Sequence, residues 1–228
     1  MAAIICLDFD DTIVLDNTAA QLFDRFVGPA WREREAAYHR GERTVEQYNA
    51  EALDMVEQSV TRGEMVEYVR SVARPREGIM ELSDWAHWND WQIAVVSNGF
   101  DLYVDPVLDD LGLHRVARHM GRARLDYRWR ARYYSPRGIE IEDGFKVSYA
   151  QAFRAAGDFV VYAGDGASDV EAARLARAVF ARSTLWERLK DEHARIYPFE
   201  TFHDVVAVLE REAAGWLESF SSTTAAEG

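Results

Sequence analysis

The chain has 228 residues, 48% of them hydrophobic, and carries 26 Lys and Arg against 39 Asp and Glu, a formal net charge of -13. This length supplies one sizeable core plus an accessory lobe, and the acidity disfavours nonspecific nucleic-acid binding, so no nucleic acid is expected among its partners. One cysteine, Cys6, excludes an intrachain disulfide and points to a reducing, cytoplasmic setting; no export leader is expected ahead of the first strand, and no run approaches the ~18 apolar residues of a membrane span.

Residues 3–7 read as a buried strand that stops abruptly in acid, at Asp8, Asp10 and Asp11, with Thr12 just beyond. Adjacent carboxylates raise one another's pKa, so the cluster asks for a compensating cation or a proton-transfer task. The bland alternative is a turn or a helix cap, where aspartate is common. Residues 17–27 read as a helix with apolar Ala20, Leu22, Phe23 and Phe26. A second helix is expected from Thr44, where Gln47 completes the pattern of a capping box, to about Met55, and a third over residues 62–72 before Pro75.

A second strand is expected over residues 91–96, running into Ser97-Asn98-Gly99, a tripeptide that is also ordinary turn chemistry. Residues 114–137 break the acidic pattern with eight arginines against one acid, Asp126. Alternation over residues 125–130 suggests a β-ribbon at about 122–137, ended by Ser135-Pro136-Arg137-Gly138. It reads either as a basic lip that attracts an anionic substrate or, more blandly, as an exposed hairpin or dimer contact. Lys146 opens the next helical pattern and is one of only two lysines in the chain, Lys190 being the other, so it stands out as a point charge amid arginines. Residues 159–163 form another strand pattern that runs into Gly164-Asp165-Gly166-Ala167-Ser168-Asp169. Thr201 is expected to cap a last helix striped with Val205, Leu209, Ala213, Trp216 and Phe220, and residues 221–228 read as a disordered tail. The alternation of strands and helices specifies an α/β fold with a doubly wound parallel sheet, whose ligands bind at the carboxyl ends of the strands.

The order D-x-D-x-T (Asp8, Asp10, Thr12), then Ser97, Lys146 and G-D-x-x-x-D (Gly164, Asp165, Asp169) resembles the haloacid dehalogenase superfamily of phosphatases. The resemblance implies a Rossmann-like core at 1–13 and 79–220 and a helical cap at 14–78, placed as in the phosphoserine-phosphatase-like branch. A narrower resemblance, carried by Val179-Phe180-Ala181-Arg182 and by residues 197–205, is to the methionine-salvage phosphatases acting on 2-hydroxy-3-keto-5-methylthiopentenyl-1-phosphate. Two departures stand against it: Asp11 lies where glycine is common in that family, and Gly166-Ala167-Ser168 looks more like the phosphoserine phosphatase version. Asn17 stands where phosphoserine phosphatases have an amine-reading glutamate, which leaves Asp16, one residue away, as a candidate substrate contact.

Chemistry assigns the roles. A phosphate monoester is a dianion, so an attacking carboxylate needs cations to neutralise both partners. Mg²⁺ suits the oxygen ligands on offer: Asp8, Asp165, the Asp10 main-chain carbonyl, and Asp169 through water. Asp8 is the expected nucleophile, forming an aspartyl-phosphate, and Asp10 the acid and base. Ser97, Thr12 and the backbone at Asn98 and Gly99 are expected to meet the phosphoryl oxygens, with Lys146 as the balancing charge, oriented by Asp169. The expected activity is thus hydrolysis of a small phosphorylated metabolite, either a methylthio-sugar enol phosphate or an amine-bearing ester of the phosphoserine, phosphocholine or phosphoethanolamine type. A phosphoacceptor signalling domain, a non-catalytic scaffold and a haloalkanoate dehalogenase are the readings from other classes. The expected assembly is a monomer or homodimer, with no membrane partner.

Overall fold

The computed structural model describes residues 2–226. Strand β1 (Ala3–Leu7) is buried along its whole length, as a run of Ala, Ile, Cys and Leu demands when both faces of a sheet are covered. It pairs in parallel with β2 (Trp91–Phe100) on one side and β6 (Phe159–Gly164) on the other. The sheet grows outward in both directions from there. Beyond β2 lie β3 (Ala117–Leu125), β4 (Trp129–Tyr134) and β5 (Glu140–Ile141); beyond β6 lie β7 (Ala178–Ala181) and β8 (Ile196–Pro198). Among the described strands the β3–β4 and β4–β5 pairings are antiparallel and the others parallel. The chain reverses its winding direction at β1, so the carboxyl end of that strand faces the crevice where doubly wound sheets bind ligands.

Between β1 and helix α5 (Ile79–Trp88) the chain makes four helices: α1 (Thr18–Phe26), α2 (Arg32–His39), α3 (Val45–Asp54) and α4 (Arg62–Val72). Its two connections to the core run side by side, with Val14 bridged to Pro75 and the Arg76 N–H donating to the Ile13 carbonyl at 2.8 Å. Asn17 caps α1 by accepting the Ala20 N–H at 2.9 Å. Thr44 with Gln47 and Thr61 with Glu64 form complete capping boxes, which satisfy N–H groups otherwise left bare at a helix start. Helix α2 has no expected counterpart. Its sequence, Arg-Glu-Arg-Glu-Ala-Ala-Tyr-His, has no apolar stripe and buries no residue fully, so periodicity could not reveal it.

The remaining helices are α6 (Asp101–Asp110), α7 (Phe145–Ala155), the short α8 (Val170–Ala173), α9 (Ser183–Leu189) and α10 (Phe202–Ala226). Along α10, Val205, Leu209, Ala213, Trp216 and Phe220 are buried as the stripe requires, with Trp216 stacked on Phe159. Helix α10 continues to Ala226, through most of the stretch expected as a disordered tail; Met1 and residues 227 and 228 lie outside the described residues. Thr201 holds the cap position, where Asp204 reaches back and accepts both the Thr201 N–H (2.9 Å) and its hydroxyl (3.2 Å).

Two other expectations need correcting. Ser97-Asn98-Gly99 is no turn, because β2 runs through it to Phe100, with an irregular register against β3 between Val96 and Phe100. In the arginine-rich segment, residues 126–128 are the tip of the ribbon rather than part of a strand, with β3 and β4 on either side. Among the described residues, no helix is long and apolar enough to cross a membrane.

Candidate active site

The Asp8 N–H extends the β1 ladder, donating to the Ala163 carbonyl at 2.9 Å, and so delivers the side chain to the crevice. Asp8 is 6% exposed, and its carboxylate lies 2.8 Å from Lys146 Nζ. Burial and the charge of Asp169 push the Asp8 carboxyl up, against the pull of Lys146. After Asp8 the chain makes one tight turn, in which Asp11 has φ 57°. Glycine would take that conformation freely; among other residues aspartate is one of the more tolerant, which accounts for Asp11 in the glycine-like position. Arg76, buried and without precedent in the sequence reading, ties this turn down by donating to the carbonyls of Asp11 (2.7 Å), Thr12 (2.7 Å) and Glu200 (2.9 Å).

The Asp10 carboxylate has partners of its own. It accepts the Thr18 N–H at the start of α1 (2.7 Å) and the Tyr103 hydroxyl (2.8 Å). Burial lifts its pKa to about 6, with the Tyr103 and Thr18 bonds opposing the rise. A carboxyl titrating there can deliver and recover a proton near neutrality. Gly99 leaves the room Tyr103 needs, since a Cβ would press into the Tyr103 ring and hydroxyl.

Lys146, the second residue of α7, is buried between Asp8 and Asp169, 2.6 Å from the latter. Burial works against its charge, but the two carboxylates outweigh it and raise its pKa, so the ammonium is held. Asp169 is fully enclosed. One of its oxygens takes Lys146 and the Tyr162 hydroxyl (2.6 Å), and the other takes the N–H groups of Asp165 (3.2 Å) and Gly166 (2.9 Å). With both oxygens engaged, Asp169 orients Lys146 and the Asp165 loop. Gly164 permits this contact, because a Cβ there would stand 2.7 Å from the Asp169 carboxyl carbon.

Asp8, Asp165 and Asp169 offer oxygens all within 4.8 Å of one another. Formally this sets three negative charges against the one positive charge of Lys146, with hard oxygen donors only, and that donor set fits a divalent cation such as Mg²⁺. Burial, followed by the charge of Asp169, lifts Asp165 to about 7. The Asp10 carboxylate is not part of this group.

The remaining expected contacts divide. Ser97 lines the pocket, but its Oγ accepts the Gly99 N–H at 2.9 Å, so that N–H is already engaged. The Asn98 side-chain amide donates to Glu46 of α3 (3.0 Å), while the Asn98 main-chain carbonyl accepts from Asn49 (3.1 Å) and Tyr133 (2.5 Å). Thr12, expected to meet a phosphoryl oxygen, instead donates to Asp165 at 3.3 Å and lies outside the pocket lining. Asp16 also lies outside it: Arg74 grips its carboxylate through two bonds of 2.7 and 2.8 Å, and the amine-reading role has no geometric basis there. Residues 197–205 do not line the pocket either; Phe199 and Phe202 are buried, and the Glu200 carbonyl anchors Arg76 and Arg182.

Above the carboxylates is a cavity of about 250 Å³ whose far side comes from the insertion, including Glu35, Tyr38, His39, Tyr48 and Asn49. Tyr38 stacks on Tyr48 at 5.7 Å and Tyr48 on Trp31 at 6.4 Å. Sequence reasoning missed these residues, along with Tyr103 and Tyr162, because no spacing ties them to the motifs. Helix α3 is fastened to the core. Glu46, 2% exposed, accepts the Asn98 amide and the Phe145 N–H (2.8 Å), while the Thr44 hydroxyl donates to the Glu142 carbonyl.

The chain is 25% identical to a 2-hydroxy-3-keto-5-methylthiopentenyl-1-phosphate phosphatase of Bacillus cytotoxicus and 24% identical to that of Bacillus thuringiensis subsp. konkukian, each over 90% of this chain and 94% of the relative. Among solved structures it is similar to a substrate-bound phosphoserine phosphatase (TM-score 0.67, 17% identity, 91% of this chain and 98% of that one). It is also similar to a phospho-aspartyl intermediate analogue of phosphoserine phosphatase (TM-score 0.66, 18% identity, 90% and 98%). The family model of haloacid dehalogenase-like hydrolases matches residues 5–174, a span running from β1 through Asp8, Ser97 and Lys146 to Asp169, and the chain belongs to that family.

Proposed function

We propose that the protein is a Mg²⁺-dependent phosphomonoesterase of small metabolites working through an aspartyl-phosphate on Asp8. The observation that carries this reading is the division of labour between the two aspartates. Asp8 sits in the carboxylate cluster against Lys146, while Asp10 is held apart by Thr18 and Tyr103 in an environment that keeps its pKa near 6. Bound at Asp8 and Asp165, Mg²⁺ would neutralise charge on the phosphoryl oxygens. Asp8 attacks phosphorus as the ester P–O bond breaks, and Asp10 protonates the departing oxygen. Asp10 then takes a proton from the water that attacks the phosphoenzyme, releasing phosphate and restoring Asp8. Lys146 balances the charge of Asp8 throughout, and Asp169 keeps it aimed. Residues 14–78 act as the cap that shields this chemistry from bulk water.

For the substrate, we propose a methylthio-sugar enol phosphate. The named relatives support it, as does the stacked pair Tyr38 and Tyr48 in the cavity wall, a surface suited to a thioether. Glu35 in the same wall favours a second reading, an amine-bearing phosphate ester, since it supplies a carboxylate that Asp16 does not. The test is phosphate release from an aryl phosphate and then from a panel of metabolite phosphates, with acid-quenched protein assayed for phosphoenzyme. Mg²⁺-dependent release with covalent label on wild type and none on Asp8→Asn is expected. Release that survives metal removal, or label retained on Asp8→Asn, would overturn the reading.

A further inference from the structure

The β3–β4 ribbon has two unlike faces. Ala123, Trp129 and Tyr133 are buried on the inner one, where Trp129 Nε1 donates to the Val60 carbonyl of the insertion at 3.1 Å. The outer face carries Arg122, Arg124, Arg130 and Arg132, all exposed. The register sets Arg122 directly opposite Arg132 and Arg124 directly opposite Arg130. Like charges facing each other across an antiparallel pair are destabilising, and here two such pairs are adjacent in a chain whose net charge is -13. Local acids do not resolve the conflict. Arg132 meets Glu140 at 3.1 Å and Arg122 approaches Asp101 only to 3.8 Å, while the guanidinium groups of Arg124 and Arg130 make no hydrogen bond or ion pair among the described residues. The four guanidinium groups, with Asp126 and Tyr134, line a cavity of about 310 Å³. None of the segment's arginines lines the catalytic cavity, so the basic-lip reading has no support there.

We infer that the outer face of the β3–β4 ribbon is a second anion-binding site, built for a compact, multiply charged phosphate such as a diphosphate group. Guanidinium forks match phosphate oxygens in bidentate fashion, and an anion between the two cross-strand pairs turns their mutual repulsion into shared attraction. Size and field both favour a small ligand. The cavity is at the lower end of the range for small-molecule sites, and a long polyanion would meet the acidic remainder of the molecule. The inference does not depend on the proposed reaction, because the site shares no residue with the catalytic cavity.

The experiment is calorimetric titration of inorganic diphosphate into metal-free full-length protein at low ionic strength, with orthophosphate and a single-stranded oligonucleotide as parallel titrants. Wild type should bind diphosphate saturably at one site, more tightly than orthophosphate, and the oligonucleotide should bind no better than orthophosphate. The Arg124→Gln/Arg130→Gln double variant should lose tenfold or more in affinity. An Arg115→Gln/Arg137→Gln variant, which removes the same charge outside the cavity, should bind like wild type. Without anion the first variant should melt no lower than wild type, since its repulsion is relieved, whereas diphosphate should raise the melting temperature of wild type and of the Arg115→Gln/Arg137→Gln variant but not that of the first variant. The aryl phosphatase activity of both variants should be unchanged. Absence of saturable binding, equal losses in the two variants, tighter binding of the oligonucleotide, or a dimer in sedimentation that the first variant dissociates would each overturn the inference.

Discussion

The floor and the wall of the catalytic cavity are made differently. On the floor, Asp8, Asp165 and Ser97 are carried by adjacent parallel strands, or stand one residue past them, and each is buried or half-buried in a web of short bonds. The opposite wall is a set of helices from the insertion. There α2 buries no residue fully, His39 is exposed, and Tyr38 and Tyr48 contribute ring faces rather than charges. A floor of this kind pre-organises charge for one reaction, whereas a wall element such as α2, which buries no residue fully, can change what it reads without disturbing the chemistry. Two helices of the insertion are fastened to the floor: α1 through the Thr18 N–H on Asp10, and α3 through Glu46 and Thr44.

The largest effect should come from the floor. Asp8→Asn is expected to lower turnover by about four orders of magnitude or more while leaving the melting temperature near that of wild type, as steady-state assays and circular dichroism would report. Stripping divalent metal should do the same reversibly, with activity regained on adding Mg²⁺. Asp10→Asn should cost about 10²–10⁴-fold with an alkyl phosphate but less in the first step with a good aryl leaving group, which needs little protonation. Equal losses on both substrates in rapid-quench experiments would remove Asp10 from the acid role.

Helix α3 tests where floor ends and wall begins. Glu46→Ala leaves the Asn98 amide and the Phe145 N–H without their acceptor, each a loss of about 1–3 kcal/mol when buried. Denaturant unfolding should show that loss, and kcat should fall because Phe145 and Asn98 adjoin Lys146 and Ser97; Glu46→Gln should recover part of both. In the free wall, Tyr38→Ala should raise KM for the physiological ester by roughly tenfold, about the weight of one apolar contact, with kcat on a small aryl phosphate nearly unchanged. Asp16→Ala should do least, leaving kinetics on every substrate as in wild type, because its carboxylate serves Arg74. A selective loss on an amine-bearing ester would restore Asp16 to the site.

The unevenness of the sequence reading follows the same division. Strand β1 and its acidic end, the capping boxes of α3 and α4, the stripe of α10 and the motif residues Asp8, Lys146 and Asp165 are local signals, set by apolar runs, by spacings of three or four residues, and by charge placed where a strand must stop. These determined the α/β class and picked out the residues on which the proposed chemistry rests. Tertiary structure alone decided that the Asp10 carboxylate meets Tyr103, that Thr12 serves Asp165, that Asp16 is spent on Arg74, and that Glu46 reaches Asn98 across 52 positions of sequence. It also decided that Arg122, Arg124, Arg130 and Arg132 gather on one face of the ribbon and that none of them lines the catalytic cavity. Hydrogen bonds between distant residues leave no periodicity in the chain, because their geometry exists only once the sheet has brought the strand ends together and the inserted helices have packed against them.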